Sequence, residues 1–285
     1  MYVNLSNIKS GFCDKLKKLT LYIAYCDTLK IKKLEIYDRK SKENPFLFYD
    51  LCKIRGFKVI KSNIKKREFF NYIDAYNSNP NPTNLKNIIA SSSIRLEKNF
   101  LIKWKNAYSL IYPQKKTKKF KKATIGIHIR LTDKLVNLKG KLFEIPGKDV
   151  VLEKDYNLFK EELRNKIIKK KNCNFFLASD SEKAKNEIIS IFKKKKIKLL
   201  FNKISFNTKK FRQTNGDSFI NDLFCLSQCK KIYSTGGGVP ITAKMISKNK
   251  INYHKISYQK IFNINIDTIN IFLYPLGKLY KKLFP

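Results

Sequence analysis

Short apolar runs alternate with stretches of helical periodicity through the second half of the chain. The apolar runs predict five strands, at residues 124–129, 173–178, 197–201, 231–234 and 251–254. The stretches between them predict helices at residues 149–170, 182–192 and 219–229, and the start of another at residue 240. Strands that alternate with helices at this spacing are typical of βαβ units in a parallel sheet. We therefore expect residues 123–256 to form a doubly wound, Rossmann-like α/β domain.

The first half of the chain shows the same alternation with longer gaps. Predicted strands lie at residues 2–5, 34–37 and 57–60, and predicted helices at residues 12–26, 46–54, 66–76 and 94–112. Trp104, in the last of these helices, is expected in the core rather than at a ligand. We expect residues 1–115 to form a second Rossmann-like domain, so that two doubly wound α/β domains face a cleft. The lysine-rich run at residues 116–122 cannot be buried and is the predicted linker.

The net charge raises the question of an anionic partner. The 285 residues carry a formal charge of +39, which first suggests nucleic acid or an anionic membrane. Most of the basic residues are lysines spread along the whole chain, which is also rich in Ile, Asn, Phe and Tyr. These residue types share AT-rich codons, so genome composition accounts for much of the excess. We expect a solvated basic surface and no nucleic-acid partner, with an anionic membrane surface as the alternative that stays open.

The cysteine pattern argues against a metal site or a disulfide framework. The six cysteines form no Cys-x-x-Cys pair and do not cluster with the two histidines. We interpret them as small buried side chains in a reducing cytosol. Residues 1–10 lack the pattern of a signal peptide, and no window is apolar for long enough to span a bilayer. The expectation is a cytoplasmic protein that is at most peripheral to the inner membrane.

Residues 125–134 change abruptly from a buried strand into a polar segment. Apolar residues up to Ile129 predict the strand, and Arg130 follows directly. Residues two apart point to the same face of an extended chain, so His128 and Arg130 lie side by side. A guanidinium group binds two phosphate oxygens at once, and the pair therefore suggests a phosphate-bearing ligand. A simple ion pair between Arg130 and Asp133 is the alternative.

Two further predicted strands end in turns that suit the same ligand. Asp180 follows one of them, and Thr235, Gly236, Gly237 and Gly238 follow another. A glycine loop between a strand and a helix presents backbone N–H groups to an anion, and Gly11 opens the first predicted helix in a similar way. Because the carboxyl ends of parallel strands share one edge of the sheet, the three strand ends of the second half should converge on one crevice. Together they favour a nucleotide-type ligand.

The same residues resemble the motifs of a known family. Residues 128–134 read His-Ile-Arg-Leu-Thr-Asp-Lys and resemble the His-x-Arg-x-Thr-Asp-Lys motif of the α1,6-fucosyltransferases, which include the bacterial nodulation enzymes. Residues 178–185 are similar to a second motif of the family, and residues 222–228, running into Ser234 and Thr235, to a third. The residues around Gly11 resemble the turn that opens the family's N-terminal domain. The resemblance covers most of the chain in order.

The resemblance implies a glycosyltransferase of the two-domain glycosyltransferase-B type. Such an enzyme moves fucose from GDP-fucose to a glycan acceptor, inverts the anomeric carbon, and uses neither a metal nor another cofactor. Residues 123–256 would bind the nucleotide sugar, and residues 1–115 would lie on the acceptor side. The implied donor-binding residues are Gly11, His128, Arg130, Lys134, Asp180, Asp222, Thr235, Gly236, Gly237 and Gly238. Among them, His128 and Asp180 would contact the guanine, and Arg130 would meet the charge of the leaving GDP.

The chain departs from the family's pattern in the residues that carry the chemistry. Leu131 stands where the family usually has a second arginine, and Leu138 falls, by spacing, on the glutamate often proposed as general base. Glycines replace the family's serine-rich phosphate loop. Since an inverting transfer needs a carboxylate near the acceptor hydroxyl, Asp133 and Glu144 are the candidate bases. With Arg130 they form the predicted catalytic set.

Residues 257–285 combine aromatic side chains with lysines. This composition suits either a closing helix or a segment at a membrane interface, where a lipid-linked glycan acceptor would sit. Our hypothesis is a bacterial-type fucosyltransferase that builds a surface glycan. Three alternatives stay open: a related transferase that uses another nucleotide sugar, a basic nucleic-acid-binding protein, and a non-catalytic member of the same family.

Overall fold

A computed structural model describes most of the chain. The chain divides into two compact units. The described residues are 1–6, 8, 11–41, 45–66, 100–120, 123–131, 135–136, 151–169, 173–203 and 214–256. Unit 1 comprises residues 1–118, 219–227 and 242–248, and unit 2 comprises residues 119–218, 228–241 and 249–285. The sequence prediction of domains at 1–115 and 123–256 remains a prediction.

Unit 1 contains a parallel sheet of three strands. Their order is β1 (Tyr2–Asn4), β2 (Lys33–Tyr37) and β4 (Lys58–Lys61), with β2 in the centre. Two further strands, β3 (Cys52–Ile54) and β5 (Ile111–Pro113), pair with each other in antiparallel fashion. The three predicted strands of the first half are thus confirmed within a residue or two.

Two helices of unit 1 pack on each other beside this sheet. Helix α1 (Phe12–Thr28) is buried over most of its length, and α3 (Phe100–Ser109) contacts it. Trp104 of α3 is 6% exposed and donates its indole N–H to Thr20 Oγ1 at 3.1 Å, which confirms its predicted place in the core. A buried indole of this kind adds buried apolar surface to the core, and its N–H group keeps a hydrogen-bond partner.

The predicted helix at residues 46–54 is wrong in extent and partly in type. Only a single turn, α2 (Phe48–Leu51), is helical, and the chain then enters β3. A short apolar run fits either structure, and here pairing with β5 decides in favour of a strand. The predicted helix at residues 94–112 ends at Ser109 for the same reason, because residues 111–113 form β5.

Unit 2 contains a five-stranded sheet in which every pair of neighbours is parallel. Its order is β10 (Leu199–Phe201), β9 (Asn174–Ser179), β6 (Thr124–Ile129), β11 (Lys231–Ser234) and β12 (Asn252–Lys255). A separate two-stranded pair joins β7 (Leu135–Val136) and β8 (Val151–Leu152). All five strands predicted for this half are confirmed, and β11 has the predicted bounds.

Helices connect the strands of unit 2. They are α4 (Glu153–Glu162), which continues into a π-helical turn (Leu163–Ile167), then α5 (Glu182–Lys194), α6 (Gly216–Leu226) and α7 (Gly238–Ile246). The last two contribute residues to both units. The predicted start of α4 at residue 149 is wrong, because residues 151–152 form β8. Ser181 caps α5, since its side chain accepts from the backbone N–H of Ala184 at 3.3 Å.

One large hydrophobic cluster of unit 2 lies on one face of its sheet. Alternate residues of the strands point into it, as the two-residue period of a strand requires. The buried set includes Ile125, Ile127, Ile129, Phe159, Phe175, Leu177, Phe192 and Tyr233. Leu131, which comes just after β6, is 7% exposed and joins the same cluster.

Other predicted segments lie outside the described residues. They are the helix at residues 67–76, the loop at residues 137–148, the end of the linker at residues 121–122, and residues 257–285. Residues 116–120 of the predicted linker carry no regular secondary structure. Within the described ranges, no helix is both long enough and apolar enough to span a membrane.

Candidate functional site

The strand order of unit 2 marks one position on its carboxyl edge. Numbered along the chain, the five strands follow the order 3-2-1-4-5, so successive connections change direction between β6 and β11. In open parallel sheets, ligands bind in the crevice just outside the strands at such a switch point. His128 and Arg130 at the end of β6, and Ser234 to Gly237 at the end of β11, lie on either side of it. The structure therefore joins two of the three strand ends that the sequence singled out.

His128 forms the buried floor of this position. Its side chain points away from the isoleucine core, is 5% exposed, and lies with Nδ1 2.9 Å from Ser234 Oγ. Burial, with a smaller contribution from the Arg130 guanidinium, lowers the pKa of His128 to about 3. The imidazole is therefore neutral at physiological pH. A neutral ring has one hydrogen-bond donor and one acceptor. It therefore suits hydrogen bonds to a neutral polar group of a ligand better than pairing with a charged group.

Ser234 and Thr235 hold the two strand ends together. Ser234 Oγ accepts from the backbone N–H of Gly236 at 2.9 Å and donates to Gly236 O at 3.2 Å. Thr235 donates its backbone N–H to His128 O at 3.2 Å, and its Oγ1 accepts from the backbone N–H of Arg130 at 3.1 Å. A hydroxyl has one proton, so when Ser234 donates to Gly236 O, His128 donates to Ser234 through Nδ1. Its Nε2 is then left as an acceptor.

The glycine loop allows a cation to approach the backbone closely. Gly236 and Gly237 have φ angles of +124° and +95°, a region that residues with a Cβ rarely adopt. A Cβ on Gly237 would lie 3.1 Å from Arg130 Cδ and 3.3 Å from its Nη1. The backbone thus favours glycine at position 237, and a Cβ there would also displace the Arg130 side chain by a few tenths of an ångström.

The helix that follows the loop adds backbone donors. Helix α7 begins at Gly238, so the N–H groups of Gly237, Gly238 and Val239 lack partners within the helix, and Pro240 has none to offer. These donors and the positive end of the helix dipole lie beside Arg130, and together they suit an anion. Gly238 therefore opens the helix after the strand, so the helix begins two residues before its predicted start at residue 240.

Asp180, on the third strand end, holds the backbone of its neighbour. Its Oδ1 accepts from the backbone N–H of Leu131 at 2.9 Å, and its own N–H donates to Ile129 O at 3.4 Å. The carboxylate thereby orients the chain just after Arg130. Leu131 itself points into the core. The position at which the fucosyltransferases it resembles usually have a second arginine therefore contributes to core packing in this chain.

Lys255 also lies at this edge, and the sequence reasoning missed it. The predicted strand at residues 251–254 stopped one residue short, whereas β12 extends to Lys255. A Cβ on Gly236 would lie 3.3 Å from Lys255 Cε. The signal that marked Arg130, a cation at the end of a predicted strand, would have marked Lys255 as well.

The remaining predicted site residues belong to unit 1 or fall outside the described residues. Gly11 and Asp222 belong to unit 1. Gly11 precedes α1 with an ordinary φ of −68°, and Asp222 on α6 is 6% exposed. Asp133, Lys134 and Glu144 lie outside the described residues, so their roles remain predictions.

The cysteines are structural side chains in the described part of the chain. Within the described ranges, no three His, Cys, Asp or Glu side chains gather as a metal site. None of the six cysteines forms a disulfide there, and Cys26, Cys52, Cys225 and Cys229 are buried.

Comparisons of the whole chain with known proteins give matches among solved structures at low sequence identity. No protein-family model and no curated protein sequence matches it. The solved structure of NodZ alpha-1,6-fucosyltransferase soaked with GDP-fucose matches with a TM-score of 0.49 and 14% identity, over 86% of this chain and 92% of that one. The structure of POFUT1 in complex with GDP-fucose matches with a TM-score of 0.46 and 9% identity, over 90% and 98% of the two chains.

Proposed function

We propose that this chain is a glycosyltransferase and, more narrowly, an inverting fucosyltransferase that moves fucose from GDP-fucose to a glycan acceptor without a metal. One observation carries the proposal. The motif residues His128 and Arg130 and the glycine loop at Thr235–Gly238, far apart in sequence, meet at the switch point of a 3-2-1-4-5 parallel sheet. That position is the ligand crevice of nucleotide-binding sheets.

The diphosphate of the donor would lie against the glycine loop. As the bond from the sugar to the β-phosphate breaks, negative charge grows on the leaving GDP. Arg130 lies against Gly237 and α7 begins at Gly238, so the guanidinium and the N–H groups of Gly237 and Gly238 would stabilise that charge there. Asp180 would assist by holding the backbone that follows Arg130.

The transfer step also needs a base. In an inverting reaction the acceptor hydroxyl attacks the anomeric carbon while GDP leaves from the opposite face, and a carboxylate takes the hydroxyl proton. Asp133, three residues after Arg130, and Glu144 are the candidates from the sequence. His128 is poorly suited to this step, because it is buried, and its hydrogen-bonding edge suits contact with the base of the nucleotide.

The proposal extends to the whole chain. Unit 1 would contribute the acceptor side, giving the two-domain glycosyltransferase-B arrangement. Residues 257–285, rich in aromatic residues and lysines, would bring a cytoplasmic enzyme to the inner membrane, where lipid-linked glycan acceptors are found. A flotation assay with anionic vesicles tests this part, and failure of the full chain to float with them would contradict it.

A thermal-shift screen against nucleoside diphosphates tests the donor assignment. We expect GDP to raise the melting temperature of the wild type, and UDP and CDP to raise it less, because binding to the folded state alone stabilises it. A transfer assay with GDP-fucose and a glycan acceptor should then release GDP. A response to UDP but not to GDP would contradict fucose as the sugar.

A related transferase with another nucleotide sugar is the second candidate. Two observations favour it: Leu131 packs in the core where the family has an arginine, and glycines replace the family's serine-rich loop. Release of nucleotide from a panel of sugar donors separates the two. A nucleic-acid-binding protein would instead show affinity that falls steeply with salt, and no stabilisation by GDP.

A further inference from the structure

We infer that Lys255 supplies a second cation for the donor diphosphate, on the opposite side of the glycine loop from Arg130. The inference rests on the proposed function, since it assigns a further residue to the same nucleotide site. Lys255 lies outside all the motifs that carry the family resemblance, and its assignment comes from its position on β12.

Strand pairing brings Lys255 to the loop. Strand β12 lies next to β11, with Lys255 in register with Ser234, and Ile256 donates its backbone N–H to Ser234 O at 2.9 Å. The lysine side chain then runs past Gly236. A Cβ on Gly236 would lie 3.3 Å from Lys255 Cε and 4.0 Å from its Nζ.

Each of the two positive-φ glycines of the loop lies against the side chain of one cation. Gly237 lies against the side chain of Arg130, from β6, and Gly236 lies against that of Lys255, from β12. Because β11 is between β6 and β12 in the sheet, the two cations flank the loop from its two sides. An anion held by the N–H groups of Gly237 and Gly238 would therefore meet positive charge on both sides.

The charges at this edge make a second cation useful. A nucleoside diphosphate carries more negative charge than one guanidinium balances, and Leu131 leaves the position after Arg130 apolar. Within the described ranges, no ion pair or hydrogen bond engages the Lys255 ammonium group. It is half-buried and so partly shielded from solvent, which strengthens its interaction with an anion.

The test compares ligands that differ only in the number of their phosphate groups. It uses the wild type and three protein variants. Binding of guanosine, GMP and GDP is measured by calorimetry on the full chain for the wild type, Lys255→Met, Lys255→Arg and Lys250→Met. Lys250 lies just before the amino end of β12 and is exposed, so Lys250→Met removes the same charge far from the loop. Methionine keeps most of the aliphatic stem that packs on Gly236.

We expect Lys255→Met to weaken GDP binding about tenfold, as for loss of one charge-assisted hydrogen bond, and to change guanosine binding little. Lys255→Arg should retain GDP affinity, and Lys250→Met should match the wild type. If the wild type and Lys250→Met bind GDP equally and Lys255→Met binds it as well as they do, the inference fails while the proposed function stands. If the wild type binds no GDP at all, the proposed function fails and the inference with it.

Discussion

At the carboxyl ends of their parallel strands, unit 1 and unit 2 place similar groups in different surroundings. In unit 1, Lys15 and Asp38 form an ion pair of 2.7 Å whose side chains are 1% and 0% exposed. In unit 2, Arg130 and Lys255 at this edge are both half-buried, and the groups beside them are glycines with positive φ. The first arrangement supplies its own counter-charge from the chain, whereas the second, under the proposed function, would offer its charge to the donor diphosphate.

The surroundings of Lys15 show what an internally satisfied strand end looks like. Its Nζ donates to Asp38 Oδ1 and to Phe46 O at 2.8 Å, and Asp38 Oδ2 accepts from the backbone N–H of Phe48 at 2.8 Å. Burial lowers the pKa of Lys15 and raises that of Asp38, although their mutual attraction opposes both shifts. Lys18 likewise donates to Asn4 O at 2.6 Å. Charge at a strand end is therefore no evidence of a ligand until its partners are known.

The largest expected effect comes from breaking the buried pair of unit 1. Lys15→Met leaves Asp38 without its cation in a dry site, so we expect a loss of about 3–5 kcal/mol in the free energy of unfolding. Urea denaturation measures it. The matched control is Lys32→Met, because Lys32 and Asp27 form an exposed pair at 3.9 Å and its removal should cost less than about 1 kcal/mol. Equal losses in the free energy of unfolding for the two variants would show that the buried pair contributes no more to stability than the exposed pair.

Arg130→Ala should act on function instead of stability. Loss of one preorganised group that stabilises a leaving anion lowers kcat by about 10²–10³-fold, and the GDP-induced thermal shift should also disappear. Steady-state release of GDP from GDP-fucose measures the first. Arg164→Ala is the control, since Arg164 is exposed on the π-helical turn of the same unit. Full turnover by Arg130→Ala would show that the charge of the leaving group is met elsewhere.

Buried His128 should make stability fall in acid. Its pKa of about 3 in the folded chain lies below the ordinary 6.5, so the unfolded chain binds the extra proton between these values. Stability is then complete above pH 6.5 and declines as the pH falls toward 3, by roughly 3 kcal/mol at pH 4. Urea denaturation across this range should give a smaller slope for His128→Gln than for the wild type. His254→Gln, at an exposed position, should keep the wild-type slope.

Two glycine substitutions separate backbone strain from crowding at the site. Gly237→Ala and Gly56→Ala both force alanine to a positive φ, which costs about 1–2 kcal/mol. Only Gly237→Ala also pushes on Arg130, because a Cβ on Gly56, in the turn before β4 of unit 1, would meet nothing within 4 Å. We expect both to lower the melting temperature and only Gly237→Ala to weaken GDP binding. Normal GDP affinity in Gly237→Ala would mean that the close approach of Arg130 is not needed.

Local pattern predicted most of the regular structure, and it failed where two structures fit one pattern. The central strands β6, β9 and β11 were predictable because they are buried on both faces and therefore read as apolar runs. The apolar residues at 46–54 are compatible with a helix or a strand. Pairing with β5 makes Cys52–Ile54 a strand. The site was predictable to the extent that polar residues directly follow predicted strands, as Arg130 and Thr235 do. Lys255 escaped because strand ends are the least certain part of such a prediction.

By itself, the sequence determined which residues alternate, where strands stop, and which short motif stands at residues 128–134. Only the tertiary structure decided that β6 lies between β9 and β11, and that β12 closes the sheet beside the glycine loop. It alone placed His128 2.9 Å from Ser234, 106 residues away, and lowered its pKa by burial. The physical reason is that periodicity reports each residue's own preference for water or core. Strand order, register and the charges near a group arise from contacts between distant segments, which no local pattern contains.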